Sequence, residues 1–144
     1  MSTAIQISEA TSLALHSMVY VAASEGGLVT VKEISDAAGF SHAHLSKVLQ
    51  RLVKAGLLQS LRGPKGGFVL ARPAGEISLL HVYEAIEGPL ETRLCIAGSK
   101  PGTCPFDRCI LGELPQRLTG EFRAFLDSRK LSDYVGARRA SKAI

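Results

Sequence analysis

Apolar residues recur every three or four positions in the first part of the chain, which is the spacing of amphipathic helices. Residues 7 to 24 form the first such segment, and the glycine pair in EGGL ends it. The pattern predicts a helix that packs one face against a core. The inward positions of that face are Ile7, Ala10, Ala14, Met18 and Val21.

Two further helices are predicted close together. Thr30 and Glu33 have the spacing of a capping box, and Gly39 is a typical C-terminal stop. Ser41 can cap the next helix, which Gly56 ends. Two helices joined by so short a turn are typical of a helix-turn-helix. The predicted inward positions are Val31, Ile34 and Ala38 in the shorter helix and Leu45, Val48, Leu49 and Leu52 in the longer one.

A β-hairpin is predicted directly after this helix pair. The β-prone segments LLQSL and FVLAR flank RGPKGG, whose glycines and proline favour a tight reversal. Arg62 and Lys65 would lie at its tip. A helix-turn-helix followed by a basic hairpin is a winged helix, so the expected fold class is mainly α with a small β-hairpin wing.

Two more helices are predicted in the C-terminal half. Ser78 begins one of them and Gly88 ends it. The other begins near Leu114, where Pro115 suits the first turn because its missing N–H would be unpaired there, and runs to about Lys130. Its narrow, coiled-coil-like seam predicts a long dimerisation helix, unless the seam folds back onto the chain's own core. The seam consists of Leu111, Leu114, Leu118, Phe122 and Phe125.

These elements divide the chain into four predicted parts. Residues 1–90 form a winged helix-turn-helix DNA-binding domain, 91–110 a cysteine loop, 111–135 the dimerisation helix, and 136–144 a basic tail that is expected to be disordered. No apolar run of about 18 residues occurs, so no membrane partner is expected. The N-terminus lacks the features of a secretory signal, so the reducing cytoplasm is the expected location.

Basic residues are distributed unevenly along the chain. The 144 residues carry a formal net charge of +4, and the stretch from Ala37 to Gly75 holds six lysines and arginines but no aspartate or glutamate. Such a run is typical of a phosphate-binding surface, although a solvated basic face would have the same composition. Together with the helix-turn-helix, it favours double-stranded DNA as the partner.

The N-terminal half of the second helix of the pair is expected to enter the major groove. Serine and histidine side chains can hydrogen-bond base edges, and the Ala43 methyl group can contact thymine. Lys47 and Arg51 would contact phosphates, and Arg62 would enter a narrow minor groove. Ordinary surface roles for the histidines and Arg51 are the alternative. The predicted contacts are Ser41, His42, Ala43, His44, Ser46, Lys47, Arg51, Arg62 and Lys65.

All three cysteines fall in one Gly- and Pro-rich loop, CIAGSKPGTCPFDRC. Eight residues separate Cys95 from Cys104, and four separate Cys104 from Cys109. A structural zinc site generally has four ligands in closely spaced pairs, so zinc fits this spacing poorly. Thiolates at varied spacings hold iron–sulfur clusters, and a dithiol switch needs only two thiols. The spacing alone leaves a cluster, a thiol switch and zinc or no metal open.

The chain resembles the Rrf2 family of bacterial winged-helix regulators from about Ile7 to Val135. The resemblance is carried by RGPKGGFVLARP, then ISLLHVYEAIEG, then the three cysteines and a leucine-rich helix containing RLTGEF. It implies a homodimer paired through the C-terminal helix. It also implies a [2Fe–2S] or [4Fe–4S] cluster held by Cys95, Cys104 and Cys109. Some members lack the cysteines and sense other signals.

The cysteine loop departs from the family pattern in two ways. Its first gap is longer and its second shorter than in most relatives, which leaves the cluster type open. The fourth ligand is also open, because Gly112 stands where some relatives have a histidine and Ser12 where others have an acidic residue. An open position or an exogenous ligand would serve equally. The candidates in the chain are Glu9, Ser12, His16, Asp107 and Glu113.

The sequence therefore predicts a DNA-binding transcriptional regulator, a repressor, that senses redox state, nitric oxide or iron through an iron–sulfur cluster. Two copies would read a palindromic operator. A metal-free thiol–disulfide switch on the same scaffold is the alternative. An enzyme is not expected, because the chain shows no nucleophile–base pairing and no Gly-rich phosphate loop after a strand.

Overall fold

The computed structural model describes residues 5–91 and 104–136, which contain five α-helices and one antiparallel hairpin. Cys95 and residues 137–144 of the predicted disordered tail, 136–144, lie outside these ranges. The expected mainly helical fold with a small hairpin is confirmed. The elements are α1 Glu9–Ala23, α2 Val31–Ala38, α3 His42–Lys54, β1 Leu58–Leu61, β2 Gly67–Leu70, α4 Leu79–Glu87 and α5 Leu114–Ser128.

Side-chain caps begin four of these helices. In each, the hydroxyl of the residue before or at the start accepts a hydrogen bond from a backbone N–H in the first turn. Gly39 ends α2 in the left-handed conformation, with φ of 72°, and α3 begins three residues later. These caps fix the turn between the two helices of the helix-turn-helix. The capping residues are Ser8, Thr30, Ser41 and Ser78.

One apolar core joins all five helices in the described part of the chain. The predicted stripe of α3 is fully buried, and so are Ala14, Met18 and Val21 of α1. Two predicted inward positions are wrong. Ile7 precedes the first turn of α1 and is 43% exposed, and Ala38 is exposed at the last position of α2.

The hairpin extends from the core as the predicted wing. Leu58 pairs with Leu70 and Leu61 with Gly67. Phe68 is buried and forms a β-bridge with Val29, which lies just before α2. The wing is therefore attached to the helix-turn-helix through backbone hydrogen bonds as well as through the chain itself.

α5 packs on α4 and the chain then returns along the start of α4. The Phe122 ring meets the Tyr83 ring edge-on with centroids 5.5 Å apart. α5 ends at Ser128, close to the predicted end near Lys130, and Lys130 itself forms a β-bridge with Ser78. None of the helices in the described ranges is both long and apolar enough to cross a membrane.

Candidate nucleic-acid interface and cysteine loop

The N-terminal half of α3 presents its outer face to solvent while its leucines and valine lie in the core. The predicted base-contacting residues therefore share one accessible surface, spanning the cap and the first two turns. Four of them are exposed and two are half-buried. The exposed residues are Ser41, His42, Ala43 and Lys47, and the half-buried residues are His44 and Ser46.

The wing tip carries Arg62 and Lys65 in the reversal between β1 and β2, and both are exposed. The Gly66 N–H donates to the Gly63 carbonyl at 2.8 Å and closes this turn. A Cβ atom on Gly67 would lie 2.6 Å from the Val29 carbonyl oxygen, so this position requires glycine. Sequence patterning identified the turn but not this close approach.

Most of the basic side chains between Ala37 and Gly75 have no ion-pair partner among the described residues. In residues 5–91 and 104–136, no carboxylate lies within salt-bridge distance of Lys47, Lys54, Arg62 or Lys65. The wing and α3, which is the expected recognition helix, therefore form a surface of unpaired positive charge. Such a surface favours contact with phosphates.

Arg51 has a partner within the chain. Its guanidinium donates to the Ile86 carbonyl in the last turn of α4 at 2.6 Å. The sequence predicted a phosphate contact for Arg51, and that role stays a prediction. A contact across 35 residues has no local sequence signal, so reasoning from the sequence missed it.

Glu87, the residue next to Ile86, was also missed. The Ser8 and Thr11 hydroxyls at the start of α1 both donate to its carboxylate. These hydrogen bonds lower the pKa of the Glu87 carboxyl below its usual value, and the Arg51 charge lowers it further. The start of α1 and the recognition helix thus contact the same end of α4.

The candidates for a fourth cluster ligand lie in different environments. The Glu9 carboxylate is 3.5 Å from the Nδ1 atom of His44 on the recognition helix. The Nδ1 atom of His16 donates to the Ser12 carbonyl at 2.7 Å, and Ser12 is half-buried. Asp107 and Glu113 are exposed near the start of α5. None of these contacts selects one candidate over the others.

Cys104 and Cys109 are exposed free thiols in the segment that leads into α5. The Gly112 N–H donates to the Cys109 carbonyl at 3.0 Å, which links this cysteine to the turn before the helix. Within the described residues, no cluster of three metal-ligating side chains occurs, and the third predicted ligand, Cys95, lies outside them. Accessible thiols of this kind suit an iron–sulfur cluster chemically.

The predicted seam of α5 divides between two environments. Phe122 packs on Tyr83 of the same chain. The other four positions stay exposed, with 39% to 50% of each residue accessible. The exposed row begins in the turn before α5, at Leu111, and continues along the helix, and such a row favours an interaction surface. Its members, named here the α5 stripe, are Leu111, Leu114, Leu118 and Phe125.

Comparison with known proteins agrees with this geometry. The Rrf2 family, described as iron-dependent transcriptional regulators, matches residues 7–137. The HTH-type transcriptional regulator IscR of Xenorhabdus nematophila is 35% identical over 112 residues, which cover 78% of this chain and 67% of the relative.

Solved structures with the same fold include two CymR proteins. CymR of B. subtilis, described as the global cysteine regulator, superposes with a TM-score of 0.76 at 26% identity, covering 94% of this chain and 99% of that one. The oxidized form of Staphylococcus aureus CymR superposes with a TM-score of 0.72 at 28% identity, covering 95% and 100%. Proteins of this family are DNA-binding transcriptional regulators and not enzymes. The chain, with its winged helix, belongs to the Rrf2 family of transcriptional regulators.

Proposed function

We propose that the protein is a homodimeric cytoplasmic repressor whose DNA affinity depends on an iron–sulfur cluster bound by Cys95, Cys104 and Cys109. The observation that carries this proposal is the placement of the cysteines. All three fall in one loop, and the two described ones are exposed free thiols directly before α5. The iron-dependent description of the family supports the same assignment.

The cysteine side chains would act as thiolates, since the deprotonated sulfur is the metal ligand. A bound cluster would supply a centre that reacts with oxidants or nitric oxide and depends on iron supply. Glu9, Ser12, His16, Asp107 and Glu113 remain the candidates for a fourth ligand. The Cys109 carbonyl accepts a hydrogen bond from the turn that begins α5, so the ligand segment is joined directly to that helix.

The α5 stripe would pair two copies about a two-fold axis. An isolated chain would leave this apolar row in water, while Phe122 and Leu126 already face the chain's own core. Two winged helices related by such an axis would read a palindromic operator. In each, the outer face of α3 would contact bases, and Lys47 and the wing would contact the backbone.

Signal transmission requires two arrangements of the dimer with different DNA affinity. Loss or modification of the cluster changes the equilibrium only if it stabilises one arrangement more than the other. Because the cysteine segment adjoins α5, we expect a change in the cluster to alter the relative placement of the two winged helices in the dimer. Oxidation, nitric oxide or iron shortage would act through this common step.

The test compares wild-type protein with Cys104→Ser, both purified without oxygen and reconstituted with iron and sulfide. Wild type is expected to show visible absorption with stoichiometric iron and sulfide, and the variant to lose both while staying folded. Arg108→Lys is the matched control, because it alters the same segment without removing a ligand. Retention of the cofactor and of the DNA response by Cys104→Ser would overturn the proposal.

A metal-free thiol switch is the second candidate function. The exposed thiols of Cys104 and Cys109 support it, and so does the similarity to a CymR structure in an oxidized form. In this case the Cys104 and Cys109 thiols would form a disulfide, and an oxidant such as diamide or a small-molecule disulfide would accept the two electrons and two protons. Diamide would then change the DNA affinity of iron-free wild-type protein, and Cys109→Ser would abolish that change. An unresponsive iron-free protein would exclude the switch.

A further inference from the structure

Four side chains join three helices where the chain leaves α4. We name Ser8, Thr11, Arg51 and Glu87 the Glu87 junction. The two hydroxyls of α1 donate to the Glu87 carboxylate, and the Arg51 guanidinium of the recognition helix donates to the carbonyl of the preceding residue at 2.6 Å. The last turn of α4 is therefore tied to the DNA-reading helix and to the start of α1.

The junction lies directly before the cysteine loop. α4 ends at Glu87, and Cys95 follows eight positions later. The exit from α4 is also attached to α5, because the Arg123 guanidinium donates to the Leu90 carbonyl at 3.1 Å. A displacement of this exit would strain contacts with the recognition helix and with α5 together.

The chemistry of the junction favours a single arrangement. The hydroxyl hydrogen bonds lower the pKa of the Glu87 carboxyl, so the group is an ionised acceptor of hydrogen bonds. Thr11 is fully buried, so its hydroxyl would lose its carboxylate partner in a dry environment if the end of α4 moved away. The hydrogen bonds of the junction therefore stabilise one position of the end of α4 more than any other.

We propose that Glu87 is a positioning residue that couples the cysteine loop to the recognition helix through this junction. The proposal rests on the proposed function, because it needs two states of the loop. A change in the loop alters the end of α4, and Arg51 carries that change to α3. Without Glu87, the last turn of α4 would no longer be held against α1, so the Ile86 carbonyl that Arg51 contacts would have no fixed position. The two states of the loop would then no longer differ in DNA affinity.

The experiment measures the dissociation constants of cluster-loaded and cluster-free protein on one duplex, selected by wild type from a randomised pool. For wild type, the two constants are expected to differ by about 5- to 150-fold, the usual size of allosteric coupling. Glu87→Ala is expected to bring them within about twofold of each other. Glu76→Ala is the matched control, because it removes another exposed carboxylate, in the 3-10 turn before α4, and should keep the wild-type ratio.

Thr11→Val provides a second test if Glu87→Ala does not fold. It keeps the volume of a buried side chain but removes one donor to Glu87, so it should lower the ratio while iron content and far-ultraviolet circular dichroism match wild type. A wild-type ratio in the folded variants would overturn the role of the junction and leave the proposed function intact. A ratio of one for wild-type protein would overturn both.

Discussion

Arg51 and Lys47 lie on the same helix, yet their charged groups have different environments. Arg51 donates to the Ile86 carbonyl, whereas Lys47 is exposed with no partner in the described residues. A side chain that neutralises a phosphate contributes about one unit to the dependence of log K on log salt. We predict that Lys47→Gln lowers this slope by about two, one for each copy in the dimer, and that Arg51→Gln weakens binding without changing the slope.

Fluorescence anisotropy of a labelled operator duplex over a range of salt concentrations measures both slopes. Lys32→Gln is the control. Lys32 forms an ion pair with Asp36 within α2, the first helix of the helix-turn-helix, so its loss should leave the slope unchanged. A slope reduced by Arg51→Gln would show that the guanidinium leaves Ile86 and contacts phosphate in the complex. It would also confirm the phosphate contact that the sequence predicted for this residue.

The residues that could be predicted from the sequence are those governed by local rules. Thr30, Ser41 and Ser78 follow the capping preference, and the buried stripe of α3 follows from helical periodicity. Glu87 could not be predicted, because its hydrogen bonds come from residues 76 and 79 positions earlier. Local pattern identifies which side chains can form contacts, and tertiary packing decides where they meet.

At the scale of elements, the wing depends on one close approach between two backbone segments. A Cβ atom on Gly67 would meet the Val29 carbonyl oxygen at 2.6 Å, and the Phe68 N–H donates to the same oxygen at 2.7 Å. We predict that Gly67→Ala forces β2 away from Val29 and lowers the free energy of unfolding by about 1–3 kcal/mol, the usual cost of overpacking. Chemical denaturation measures the loss, and DNA affinity should fall with the displaced wing.

Gly120→Ala is the matched control for this substitution. Gly120 lies inside α5, and a Cβ atom there would have no neighbour within 4 Å. Alanine in a helix interior is more favourable than glycine by up to about 1 kcal/mol, so this variant should be more stable than wild type. Equal stability of Gly67→Ala and wild type would show that the strands adjust without loss of the bridge.

At the scale of the whole molecule, the helical period of α5 could be predicted from the sequence, but its division between two environments could not. Phe122 belongs to the same repeat as Leu118 and Phe125, yet it packs on Tyr83. The apolar repeat alone does not show which of its residues contact α4, because this depends on how α4 is oriented in the fold. The core that holds α5 in place thereby leaves the α5 stripe exposed.

The α5 stripe provides the last prediction, which concerns the assembly. We expect Leu118→Glu to yield a folded monomer, because Leu118 is 45% exposed and a charge there would be desolvated only in a dimer. Light scattering should give half the wild-type mass. Affinity for a palindromic operator should fall by about 10²- to 10⁴-fold, since two linked DNA-binding domains bind more tightly than one by that factor. Ala124→Glu, an exposed position of α5 outside the stripe, should leave both quantities unchanged. A Leu118→Glu protein with the full dimer mass would assign the pairing to another surface and leave the stripe without a role.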